Sequence, residues 1–176
     1  SLYKNVCGDK LVFEETNHDL GLTYRYAWRT SDRYGFVKTS WLKDESGDGC
    51  SVALIDGVQN ILPCGVTVQT QRLFSNLLDA YKRSELDPHT GLGIFALSSG
   101  LTDLAEPSES LRAATAWQVG LDGARCLLSS RQLAAFERGE EIVQETEVRG
   151  RRGAYLAHAR LDLAPAEERG WHIVAE

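Results

Sequence analysis

Leu22-Thr23-Tyr24-Arg25-Tyr26-Ala27-Trp28-Arg29 is the stretch on which the fold turns. Leu22, Tyr24, Tyr26 and Trp28 point one way, while Thr23, Arg25 and Arg29 point the other. A period of two is the mark of a half-buried β-strand. The same rhythm returns over residues 36–42, 111–119 and 155–163. Working outward, further strands are expected at residues 10–15, 34–43, 51–55, 92–98, 142–148 and 171–174. Turns separate them at Gly21, at Ser31-Asp32-Arg33, at Asp56-Gly57, around Glu106-Pro107-Ser108 and at Asp122-Gly123. Hairpin-like connections of this kind favour antiparallel pairing in two packed layers.

Two segments change period. Leu73, Leu77, Leu78 and Tyr81 fall on one helical face, which predicts an amphipathic helix over residues 67–83. Ser129 and Gln132 form a capping-box pattern, Leu133 and Phe136 are expected to face inward, and Gly139 sits where a C′ glycine belongs. The expected fold is therefore mainly β, antiparallel, with two inserted helices. A single β-sandwich domain over residues 1–176 accounts for the whole chain. The absence of methionine and the apolar end at Trp171-His172-Ile173-Val174 read as a domain excised from a longer protein.

Composition narrows the class. The 176 residues are 43% hydrophobic and 25% charged, as in an ordinary globular protein. A net charge of −6 argues against a nucleic-acid partner, which requires a basic field. No apolar run reaches the ~20 residues of a bilayer-spanning helix, so no membrane partner is expected. Cys7, Cys50, Cys64 and Cys126 are too far apart for a zinc or disulfide pattern, and reduced thiols in a cytoplasmic setting fit them. No metal or other cofactor is called for.

Candidate chemistry is sparse. Asp32, Asp56, Asp79, Glu106 and Glu109 are available carboxylates, yet no base or nucleophile can be paired with them. Ser98-Ser99-Gly100 and Ser129-Ser130 lack the nucleophile-elbow context, and Gly91-Leu92-Gly93 precedes a strand where a phosphate loop precedes a helix. His158 alternates with Arg160 and Asp162 on a polar strand face; it reads as a sugar ligand, a general base or a locally bonded surface residue. Trp28, Arg29, Asp32, Arg33, Tyr34 and Trp41 bring aromatic plates and hydrogen-bonding groups to one hairpin. That mixture suits a glycan or a domain interface, although strict alternation also describes a core face. Arg149, Arg151 and Arg152 cluster in a glycine-rich turn, either as a solvated corner or as an anion site.

Several strings carry a family resemblance: Arg29-Thr30-Ser31-Asp32-Arg33-Tyr34-Gly35-Phe36, Ile55-Asp56-Gly57-Val58-Gln59-Asn60-Ile61-Leu62-Pro63 and Asp79-Ala80-Tyr81-Lys82. Ala105-Glu106-Pro107-Ser108-Glu109 and Arg149-Gly150-Arg151-Arg152-Gly153-Ala154-Tyr155 belong with them. Together they resemble the N-terminal β-sandwich of large bacterial glycoside phosphorylases and hydrolases related to cellobiose phosphorylase and beta-1,2-oligoglucan phosphorylase (glycoside hydrolase family 94-like). The resemblance implies an antiparallel two-layer β-supersandwich of the galactose-mutarotase-like type. It also implies an (α/α) barrel domain as partner, which carries the catalytic residues, a glucan-type oligosaccharide as substrate of the whole enzyme, and a homodimer. No catalytic residue transfers to this chain. Two alternatives stand beside that reading. One is a stand-alone glycan-binding module stacking sugars on Trp28, Tyr34 or Trp41. The other is an aldose-epimerase-like enzyme using His158 with a nearby carboxylate.

Overall fold

The computed structural model describes residues 1–99 and 112–176. The expected turn at Glu106-Pro107-Ser108, the carboxylates Glu106 and Glu109, and the start of the strand expected at 111 lie outside the described residues. In chain order the elements begin with β1 (Leu2–Lys4), β2 (Lys10–Asn17), β3 (Leu22–Ser31), β4 (Gly35–Asp44) and β5 (Cys50–Ile61). Helices α1 (Val68–Leu73) and α2 (Ser75–Tyr81) follow, then β6 (Lys82–Asp87), β7 (Leu92–Leu97), β8 (Ala114–Val119) and β9 (Arg125–Leu127). Helix α3 (Leu133–Glu137), β10 (Glu147–Arg149), β11 (Gly153–Leu163) and β12 (Glu168–Ala175) complete them. The chain is mainly β and its strand pairs are antiparallel, as the alternation predicts.

These elements fall into two compact units. The first comprises Ser1–Ile55, Gln118–Ala124 and His158–Glu176. Its sheet runs β1-β2-β3-β4-β12, and β3 and β4 pair over ten residues from Leu22↔Asp44 to Ser31↔Gly35. Leu42, Trp171 and Ile173 bury one face of that sheet. Tyr24, Tyr26 and Trp28 share that face but stay half-buried. Asp44 fixes the end of the ribbon. Its carboxylate accepts from the Ser46 amide (3.0 Å) and hydroxyl (2.5 Å), and from the amides of Gly47 (3.1 Å), Gly49 (3.3 Å) and Ala166 (3.0 Å). The Ser46 hydroxyl and the converging N–H donors hold its pKa well below the ordinary carboxylate range, against the opposing pull of burial.

The second unit comprises Asp56–Trp117 and Arg125–Ala157. Here β6 pairs with β7 and with β10, and β7 with β8. A second layer, with β11 lying between β5 and β9, packs onto it. Tyr155 of β11 is fully buried, and its hydroxyl donates to the Gly91 carbonyl at 2.7 Å. Gly93 gives its ring room, because a Cβ there would lie 2.8 Å from the Tyr155 ring. A Cβ on Gly153 would likewise meet the Phe95 ring at 2.6 Å. Close approach at glycine brings the layers together.

Four local expectations are corrected. Asp56-Gly57 is not a turn: β5 runs through it, because Gly57 lets the strand approach β11, where a Cβ would sit 2.0 Å from the Tyr155 carbonyl oxygen. The helix expected over 67–83 breaks at Phe74 (φ −124°, ψ 32°), and its last residues start β6 instead. Thr67 caps α1 by accepting the Thr70 amide at 3.0 Å. Ser129 does not cap α3. A buried carboxylate, Glu145, draws its hydroxyl away at 3.0 Å, and α3 starts at Leu133 with no side-chain cap. Over residues 142–148 only Glu147–Arg149 pair as strand, while Gln132 holds Val143 through two bonds of 2.8 and 2.9 Å.

Two outcomes test this account. Gly93→Ala should lower stability by about 2 kcal/mol through overpacking, and Gly57→Ala by more, because its obstacle is backbone; equal urea midpoints for both variants and the parent would refute the close packing. Asp44 has a depressed folded pKa, so its contribution is complete above the unfolded value near ~3.9 and fades as pH falls below it. Thermal melts from pH 6 downward should therefore lose stability more steeply for the parent than for Asp44→Asn.

Candidate functional site

The residues singled out on the β3–β4 hairpin do not form one cluster. The register pairs Trp28 with Lys38 and Arg25 with Trp41, which places Trp28 and Trp41 on opposite faces of the ribbon. On the first face Phe13 stacks on Tyr26 at 4.8 Å, and the Lys38 ammonium lies 4.8 Å from the Tyr26 ring and 6.0 Å from Trp28. Trp28 and Arg29 border a shallow hollow of about 300 Å³ with Leu11, Thr30 and Phe36. At the tip, the Ser31 hydroxyl oxygen accepts the amides of Arg33 (3.3 Å) and Tyr34 (3.2 Å), which shapes the turn through Asp32. The Arg33 guanidinium then sits 5.2 Å from the exposed Tyr34 ring.

The opposite face presents Trp41. Its cross-strand partner is Gly170, where a Cβ would lie 3.0 Å from the Trp41 ring. The indole can cover the strand only because that side chain is missing. Arg25 stands 5.9 Å from the Trp41 ring and pairs with Glu168. Tyr3, Lys10, Val12 and Glu14 join Arg25 and Trp41 around an open cavity of about 600 Å³. Farther along this face Thr39 and His172 share a 3.0 Å hydrogen bond. His158 is half-buried in β11, alternating with exposed Arg160 and Asp162, and Arg160 donates to Ser51 at 2.8 Å.

The second unit holds a different surface. Asn60 near the end of β5, Leu62, Val68, Gln71, Arg72, Ser75, Lys82 and Arg152 enclose a cavity of about 430 Å³. A second cavity of about 460 Å³ shares Asn60 and Arg152, and adds Asp79, Ser129, Ser130, Arg131 and Arg151. Lys82 is almost fully buried, with its side chain 2% exposed. Its ammonium donates to Asp79 at 2.8 Å and to Gln71, which in turn donates to Asp79 at 3.1 Å. Burial pushes the Asp79 carboxyl up, but the Lys82 and Gln71 hydrogen bonds and the charges of Lys82 and Arg152 outweigh it. Asp79 is held ionised.

Beside this cleft runs an apolar ridge. Only Leu78 of the two helices is buried, while Val68, Leu73, Phe74 and Leu77 are each more than half exposed. Leu73 and Leu77, expected on one helical face with Leu78 and Tyr81, are exposed while Leu78 is buried. The break at Phe74 lets Leu78 reach the core without turning the others with it.

The displaced carboxyls among the described residues, Asp9, Asp44, Asp79, Asp87, Glu147 and Glu167, all shift downward. A carboxyl acting as general acid near neutral pH must shift upward. The thiol of Cys126 is raised by burial, with a partly opposing contact to the Tyr155 hydroxyl oxygen at 3.4 Å, so it is a poor nucleophile. Among the described residues no group of three or more His, Cys, Asp or Glu could hold a metal ion, and no helix is long and apolar enough to cross a membrane. No family model matches the chain, and no curated protein matches it either.

Arg151 and Arg152 of the cleft are legible as a basic turn. Asn60, Arg72 and Lys82 carry no local sequence signal, since they converge from a strand, a helix and a helix–strand junction. The ion pair at the base of the cleft is testable. Asp79→Ala strands the buried Lys82 charge and should cost about 3 kcal/mol, whereas adding Lys82→Met to that change should recover most of the loss. Urea unfolding of both variants checks it; equal losses would show that the pair does not act as a unit.

Proposed function

We propose that this chain is an accessory β-sandwich domain of a carbohydrate-active enzyme of the glycoside phosphorylase or hydrolase type. It is not itself catalytic. It packs on a helical (α/α) barrel domain and helps shape a glucan cleft or a homodimer contact, in the cytoplasm. The observation that carries the reading is the ridge of Val68, Leu73, Phe74 and Leu77, each more than half exposed on α1 and α2. Large apolar side chains exposed so close together in the chain mark an interaction face. The depressed carboxyls of Asp44 and Asp79 support it, because neither is poised as an acid for glycosidic cleavage. The resemblance of residues 29–36, 55–63 and 149–155 to phosphorylase sandwiches supplies the enzyme class.

A second reading, a glycan-binding module, rests on Trp41. The indole laid over Gly170, with Arg25, Tyr3 and Glu14 around it, offers a stacking plate ringed by hydrogen-bonding groups. Calorimetry with gluco-oligosaccharides separates the two. The interface reading expects no binding by the chain alone, whereas saturable binding abolished by Trp41→Ala would replace it with the module.

Hydrogen exchange gives the positive test. Amides of residues 68–81 should exchange rapidly in the chain alone and become at least about tenfold slower within the full-length gene product, as burial of the ridge stabilises the helices. Leu73→Glu with Phe74→Glu should remove that protection. Equal exchange in the two contexts would sink the assignment.

A further inference from the structure

We infer that the cleft between β5, α1, β6 and the 149–153 turn is a binding site for a small phosphate monoester, a function argued apart from the interface reading although Val68 borders both surfaces. Five cationic side chains line its two adjoining cavities: Arg72, Lys82, Arg131, Arg151 and Arg152. One carboxylate, Asp79, faces them, and it is committed to Lys82 at 2.8 Å. Arg152 reaches Asp79 only at 3.6 Å and Arg131 reaches Glu145 only at 3.9 Å, while Arg72 and Arg151 have no ion pair among the described residues. The whole chain carries −6. Concentrating unneutralised guanidinium groups in one concavity of an acidic protein costs mutual repulsion that a bound anion relieves.

The site is also built. Buried Lys82 and half-buried Asp79 and Gln71 are tied together by hydrogen bonds at the floor, and Asn60 holds a left-handed backbone (φ 59°) where both cavities meet. Arg72 and Arg152 line the first cavity and Arg151 the second, which supplies exposed guanidinium groups suited to an anion. Leu62 and Val68 give the first cavity an apolar wall, while Ser75 and Gln71 add polar groups. A phosphate beside Arg152 with a short polyol body in the first cavity satisfies both kinds of lining. Two cavities of about 430 and 460 Å³ suit a small ester rather than a polymer.

The experiment is calorimetric titration of the folded chain with glycerol 3-phosphate, inorganic phosphate and glycerol at low salt. Saturable binding of glycerol 3-phosphate is expected, tighter than inorganic phosphate, with no binding of glycerol. Arg72→Gln and Arg152→Gln should each weaken it by about tenfold or more, as loss of a charge-assisted contact requires. Arg149→Gln removes the same charge from the same turn but outside both cavities, and it should leave affinity within about twofold, as a screened surface charge does. Unchanged melting curves for the variants keep folding out of the comparison. Equal weakening by Arg149→Gln, which would indicate diffuse attraction only, overturns the site. So does the absence of saturable binding, or inorganic phosphate binding as tightly as the ester.

Discussion

The seat of Tyr155 is the contact on which the second unit depends. Its ring occupies the space that side chains at Gly93 would otherwise fill, its hydroxyl reaches the Gly91 carbonyl at 2.7 Å, and its own carbonyl faces Gly57. One residue therefore sets the distance between layers and the registration of β5 against β11. That registration has a consequence at the end of β5. The strand continues past Asp56-Gly57 to Ile61 and delivers Asn60, in its left-handed conformation, to the rim of the basic cleft. Packing deep in the unit thus positions a surface feature.

What was legible follows the reach of each signal. Period-two alternation located β3, β4, β7, β11 and β12 well, because each strand buries one face and the pattern is local. Asp56-Gly57 misled, since the same dipeptide that favours turns also permits close strand approach, and only the partner's identity decides. The first two residues of β6 were absorbed into the helix expected over 67–83, and the rest passed as a connection, for a similar reason. Lys82-Arg83-Ser84-Glu85 has no apolar alternation to report, yet Lys82 and Ser84 are buried through polar partners rather than hydrophobicity. The hairpin tip was placed correctly, but membership of one hairpin does not imply membership of one face. Trp28 and Trp41 are thirteen positions apart with a turn between them, and the register sets them back to back.

Charge is distributed with the same economy. In the first unit Asp44 collects five donors from two loops and ties the β4 end to the 163–167 segment. In the second, Asp79 collects Lys82, Gln71 and Arg152. Both carboxylates are locked in the ionised state by donors, and both serve geometry. A carboxylate so fully committed does not also exchange protons with a substrate at neutral pH, because deprotonation is what its neighbours stabilise.

Arginine placement separates architecture from recognition. Arg25, Arg83, Arg125, Arg138 and Arg169 each reach a carboxylate at 3.4 Å or less, as surface pairs of modest worth. Arg72 and Arg151 do not, and Arg131 and Arg152 do so only at the limit of contact. Arg72, Arg131, Arg151 and Arg152 border the same two cavities, above a floor whose lining carboxylate, Asp79, is already paired with Lys82. An anion is the missing charge in that arrangement, and the apolar wall of Leu62 and Val68 gives it a body as well as a head.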